Sequence, residues 1–83
     1  MSRHEKLLQR ISSSPKDFAW SELTSLMSAL GVELRTSGGS ARRFVNPATS
    51  QVFYIHQPHP SSILKPYQVR EAVKYLKQEG FLA

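Results

Sequence analysis

The spacing of hydrophobic positions along the chain changes twice: it is helical up to Gly31, alternating from there to His56, and helical again after Pro66. Leu7, Leu8 and Ile11 form a short apolar stripe behind Ser2-Arg3-His4-Glu5, a segment with the form of a capping box. The pattern predicts a first helix over about 2–12, ended by Ser12-Ser13-Ser14-Pro15. A second helix over about 20–30 follows from Leu23, Leu26, Met27 and Leu30, which fall at i, i+3, i+4 and i+7, with Trp20 one turn earlier. Gly31 then suits the left-handed position that closes a helix.

Beyond Gly31, Val32 and Leu34 alternate with Glu33 and Arg35, and Ser37-Gly38-Gly39 turns the chain. Ala41, Arg43 and Val45 alternate with Arg42 and Phe44 until Asn46-Pro47 breaks the run. Residues 52–56 are β-branched and aromatic, which predicts a third strand. Pro58 and Pro60 prevent further ladder pairing and carry the chain out as a loop. Pro66 suits the first turn of a last helix, whose expected buried stripe is Val69, Ala72, Val73 and Leu76, with Gly80 closing it. These elements predict an α+β fold: an α-β-β-β-α core with a three-stranded antiparallel sheet, helices on one face and an N-terminal accessory helix. The other sheet face is left free to be solvated and to carry function.

With 83 residues there is room for a single domain, 1–83, with the accessory helix at about 2–12 and the core at about 17–83. A chain of this size buries only about 60% of its unfolded surface. It contains no cysteine, which removes disulfides, thiolate zinc sites and thiol catalysis. That composition fits a reducing cytosol, so the expected location is cytoplasmic. No apolar run approaches the length of a membrane span, and the charged start does not resemble a secretory signal.

Charge changes the picture more. The net charge is +5, and residues 1–34 contribute none of it, with four basic and four acidic side chains. Residues 35–83 carry seven basic side chains against Glu71 and Glu79. This segregation suggests a polyanionic partner, most simply a nucleic acid, although charge alone is equally met by a solvated basic face.

Three segments could carry chemistry. In Gly38-Gly39-Ser40-Ala41-Arg42-Arg43-Phe44 the glycines let backbone approach a phosphate, Ser40 offers a hydroxyl, and arginines bind phosphate as forks. Read without function, the same segment is a glycine hairpin feeding an exposed strand, and it lacks the spacing of a P-loop. In His56-Gln57-Pro58-His59-Pro60 two histidines lie three apart with no further ligand nearby, so no metal or other cofactor is expected. Free imidazole titrates near neutrality, which suits acid–base work, although histidines on a loop can also be incidental. On the last helix Arg70, Lys74 and Lys77 recur at i, i+4 and i+7, with Lys65 at its start: a phosphate track or an ordinary soluble face.

The order of these segments resembles the HicA family of bacterial toxins, small ribonucleases of type II toxin–antitoxin systems. The likeness rests on Trp20-Ser21-Glu22-Leu23 through Ala29-Leu30-Gly31, on the Gly38–Phe44 segment and on His56-Gln57-Pro58-His59-Pro60. It continues through Ile63-Leu64-Lys65-Pro66-Tyr67-Gln68-Val69-Arg70. The resemblance implies a double-stranded-RNA-binding-like fold, endonucleolytic cleavage of mRNA without a metal, and inhibition by a HicB antitoxin. In the best-known members a catalytic histidine follows the Gly-Ser pair, whereas here Ala41 stands in its place. A methyl group transfers no proton, so catalysis does not carry over to position 41.

The expectation is therefore an mRNA-cleaving toxin, in an active form or one inactivated at Ala41, with a non-catalytic RNA-binding module on the same scaffold as the alternative. Proton transfer falls first to His59, which aligns with a recurrent histidine of the family, and then to His56. Gly39, Ser40, Arg42, Arg43, Lys65, Arg70 and Lys74 are the expected RNA-binding residues, and mRNA and a HicB-like antitoxin the expected partners.

Overall fold

A computed structural model describes residues 3–36 and 38–83. The chain runs through α1 (Arg3–Ser12), α2 (Trp20–Ala29), β1 (Glu33–Thr36), β2 (Ala41–Val45), β3 (Val52–His56) and α3 (Pro66–Gln78). The strands form one antiparallel sheet in the order β1-β2-β3. This is the predicted α+β arrangement. The capping role expected of Ser2, and Ser37 within the predicted turn, lie outside the described residues.

Each helix starts and stops for local reasons. Glu22 reaches back so that its Oε1 accepts the Ala19 backbone N–H at 3.0 Å, which satisfies a donor at the α2 start. At the other end Gly31 adopts φ +81, the Gly31 N–H bonds Ser28 O and the Val32 N–H bonds Met27 O, a Schellman closure. Pro66 opens α3, where Gln68 Oε1 accepts the Lys65 N–H at 3.0 Å.

The pleat sorts the sheet into two faces. Phe44 pairs with Phe53, and Arg42 with Ile55; Phe44, Phe53 and Ile55 are buried. A chain of aromatic rings crosses this core, from Trp20 to Phe44 (5.7 Å between centroids), to Phe53 (6.2 Å) and to Tyr75 (5.4 Å). From α2 come Leu23, Leu26 and Met27, and from α3 come Val69, Ala72 and Leu76. The accessory helix contributes as well. Ile11 is fully buried in the same cluster, and Arg10 binds Glu22 at 2.7 Å and Asp17 at 2.8 Å beneath its stacking on Phe18.

One apolar residue of the core face stays exposed, and one expectation of burial needs correction. Leu34 shares the core face with Phe44 by register, yet it is 43% exposed, because β1 is a sheet edge and an open groove separates it from α2. On α3 Val73 is only half-buried, while Gln68 and Tyr75 are buried instead. Both reach across to β3 or the residue before it: the Tyr75 hydroxyl donates to Gln51 O at 3.0 Å and Gln68 Nε2 to His56 O at 2.9 Å. Hydrogen bonding admits these polar atoms to the interior at little cost.

The far hairpin is tied to the end of α3. Asn46 is buried and donates to Glu79 Oε1 at 3.0 Å, and the Thr49 hydroxyl donates to the same oxygen. The Thr49 hydrogen bond, ahead of an opposing loss of hydration and with help from Asn46 and Gln78, holds the Glu79 carboxyl below its ordinary value. Burial, with the nearby Glu79 charge, pushes the Tyr75 phenol up.

Candidate nucleic-acid interface

The open face of the sheet carries Ala41, Arg43 and Val45 from β2, Val52, Tyr54 and His56 from β3, and Glu33 and Arg35 from β1. Helices cover only the other face, so the polar side chains here meet solvent. Two cross-strand rows matter. One pairs Ala41 with His56; the next runs Arg35, Arg43, Tyr54.

The first row sits at the mouth of the sheet beside a glycine turn. Gly38 has φ +98 and Gly39 φ +53, and a Cβ at either meets nothing within 4 Å. Backbone conformation, rather than space, therefore calls for glycine here. The Ala41 N–H bonds Gly38 O at 3.0 Å, and the Gln57 N–H bonds Ser40 O at 2.8 Å, closing the turn onto the end of β3. Ser40 Oγ lies 3.2 Å from His56 Nδ1. The opposite side of His56 is fixed by the Gln68 bond to its carbonyl. His56 is thus held at three points: by β2 pairing, by Ser40 and by Gln68.

Ladder parity adds a distance. The hydrogen-bonded pairs of β2 and β3 include Asn46–Gln51 and Ser40–Gln57. Ala41–His56 and Arg43–Tyr54 are then the alternate, non-hydrogen-bonded pairs, whose Cα atoms approach to about 4.5 Å with side chains close together.

Several expected site residues converge here and others do not. Gly39, Ser40, Arg43 and His56 share the turn and the open face. Arg42 does not join Arg43. It lies on the Phe44 side of the pleat, and its Nη1 donates to Gly39 O at 2.8 Å and Ala41 O at 2.9 Å, so it braces the turn from behind. Consecutive strand residues face opposite ways, which separates the two arginines as a single phosphate grip. His59 is exposed in the loop after β3 and makes no hydrogen bond among the described residues. Of the two histidines, the ladder and Ser40 hold His56 alone. Lys65 is exposed at the α3 start and joined to His56 through Gln68. Lys74 borders the groove along the free edge of β3, with Tyr54 and Glu71, whereas Arg70 is exposed and lines neither that groove nor the turn.

Three residues of the site escape the sequence reading. Gln68 has a signal, since a Gln three positions after the residue preceding a helix can cap it. Tyr54 also has one, because alternation opposes it to Phe53 and Ile55. Arg35 reaches the row only through pairing between strands. Among the described residues no three His, Asp or Glu side chains gather as metal ligands, and no helix is long and apolar enough to cross a membrane.

A three-stranded antiparallel sheet, helices on one face and a basic open face with a positioned imidazole define a small α+β protein of the double-stranded-RNA-binding-like layout. The family model described as HicA toxin of bacterial toxin–antitoxin matches residues 20–81, and the chain belongs to that family. It is accordingly the toxin of a toxin–antitoxin system, with an antitoxin as partner. The matched stretch spans α2 to the end of α3 and leaves α1 outside it. No curated protein and no solved structure matches the chain.

Proposed function

We propose that this toxin binds single-stranded mRNA on the open sheet face and cleaves it by metal-independent acid–base chemistry at His56. The observation that carries the reading is the Ser40–His56 pair, set beside Ala41 on a face that also presents Arg43 and Arg35. With hydrogen on Nδ1 donated to Ser40 Oγ, the His56 Nε2 lone pair is free to take the proton of a ribose 2′-hydroxyl. The 2′-oxygen then forms a bond to phosphorus as the P–O5′ bond breaks. The leaving O5′ takes a proton, from water in this chain, because Ala41 supplies none. The products are a 2′,3′-cyclic phosphate and a 5′-hydroxyl. Arg43, which has no partner among the described residues, offers charge to the phosphate as negative charge builds. His59 remains a second imidazole on the adjacent loop, and Lys65 and Lys74 extend the phosphate track.

The partner is inferred as a HicB-like antitoxin whose acidic surface covers Arg43, the glycine turn and the loop between His56 and Lys65. Complementary charge would speed their encounter and make it sensitive to salt. Action on mRNA places the toxin in the cytoplasm. A second reading, a binding module without chemistry, is favoured by one observation: the methyl of Ala41 where the family's best-known members have their catalytic histidine.

The test is incubation of the purified chain with a single-stranded RNA oligomer in a chelator. Cyclic-phosphate ends are expected, and His56→Ala should remove them while leaving binding intact. Salt-dependent binding with no cleavage, in chelator or in added divalent metal, would establish the binding module instead.

A further inference from the structure

We propose that Tyr54 is a stacking platform for an RNA base, so that the substrate is gripped by an unpaired base as well as by its phosphates. The proposal rests on the RNA reading above and extends it to Tyr54, a residue that reading does not use. Tyr54 is the middle residue of β3 and is 72% exposed, the most exposed large hydrophobic side chain among the described residues. Burial of Phe53 and Ile55 on either side fixes the strand, so the ring of Tyr54 is presented to solvent from a rigid element.

Its neighbours suit a nucleotide. Arg43 lies directly across in a close, non-hydrogen-bonded pair, and Arg35 stands on the far side of Arg43. Arg35 is bound to Glu33 at 3.1 Å, whereas Arg43 is free among the described residues. An aromatic face beside an unengaged guanidinium fits one base and one phosphate. The spacing to the chemistry also fits. His56 is two residues along the same strand and face, about 7 Å at 3.4 Å per residue. A base on Tyr54 and a phosphate at Arg43 therefore bring a ribose of the same strand to the Ser40–His56 corner. In a duplex both faces of each base are occupied by stacking, so the platform selects single-stranded RNA. Because every base has a π-face, it does so with little regard to sequence.

The experiment measures affinity for a labelled single-stranded RNA oligomer over a range of salt, and for the same sequence as a duplex. Tyr54→Ala should weaken single-strand binding about 5- to 150-fold, the range of one lost base stack. The slope against salt should not change, since no phosphate contact is lost. Tyr54→Phe should bind like the parent. Tyr54→Ile keeps strand propensity and an apolar body without a ring, so it should bind as weakly as the alanine variant at unchanged melting temperature. Duplex affinity should be the same in all four proteins. Parent-like single-strand binding by the isoleucine variant overturns the platform and leaves the RNA reading standing. A parent chain that binds no RNA overturns both.

Discussion

Replacing Ala41 by histidine tests the site most directly. Ala41 and His56 are a close cross-strand pair on the open face, so their Cβ atoms stand about 5 Å apart. Two imidazoles rising from those positions flank a single phosphate, one placed to take the 2′-hydroxyl proton and the other to protonate the leaving O5′. A positioned acid–base group contributes about 10²–10⁴-fold, or roughly 3–5.5 kcal/mol of barrier at 1.36 kcal/mol per tenfold. The change in stability should be far smaller. Position 41 is half-buried at the strand start, its backbone bonds are unaffected, and such substitutions shift stability by about 0.5 kcal/mol. The assay is cleavage of a single-stranded oligomer in chelator, scored by cyclic-phosphate ends, with thermal melting as a check on the fold. The Ala41→His/His56→Ala double variant completes a cycle. If the rings act on one phosphate, removing His56 should abolish nearly all of the gain, a strongly non-additive result. A folded Ala41→His protein that cleaves no faster than the parent would refute the shared-phosphate geometry. So would a gain that survives without His56.

Arg43→Ala should lower the salt dependence of single-stranded RNA binding by about 0.7 in log–log slope. Arg42→Ala should leave that slope nearly unchanged and instead destabilise the turn that its guanidinium braces, which thermal melting reads out. Gln68→Ala should cost about 1–3 kcal/mol in chemical denaturation, because it strips partners from the Lys65 N–H and the His56 carbonyl at a residue only 4% exposed. The same variant should slow cleavage more than it weakens binding. Glu79 has a folded pKa lowered by Thr49, so its contribution to stability is fully present above the unfolded value and is lost as pH falls through the folded one. Melting temperature should therefore drop on acidification through the carboxylate range, and Glu79→Gln should flatten that part of the profile.

Much of the fold can be read in the sequence because its signals are local. The stripe Leu23, Leu26, Met27, Leu30 and the glycine after it specify α2 and its end without reference to anything distant. Alternation in β2 and the β-branched, aromatic run of β3 likewise give strands with the observed bounds. What periodicity does not give is where cover ends. Leu34 has the right parity for the core, but only the sheet order shows that β1 is an edge with a groove beside it. Nor does an apolar stripe identify Gln68 and Tyr75 as buried, because their burial is licensed by backbone partners at the two ends of β3, His56 and Gln51 just before it.

The site is half legible for the same reason, and one pair of residues shows it. Arg42 and Arg43 look like a joint phosphate grip when counted along the chain, while the pleat that makes β2 a strand sends them to opposite faces. What they lose as neighbours the sheet replaces: Arg43 gains Arg35 and Tyr54, partners 8 and 11 residues away, and Arg42 becomes part of the turn. His56 and His59 divide in a similar way. Their spacing in sequence treats them alike, but only His56 is still in the ladder, where Ser40 and Gln68 hold it from two sides. The glycine turn, Ser40 and His56 surround Ala41, whose methyl transfers no proton. Such a scaffold is compatible with both readings proposed for this toxin, slow cleavage through His56 alone or binding without cleavage. The difference between them lies in one side chain and not in the fold.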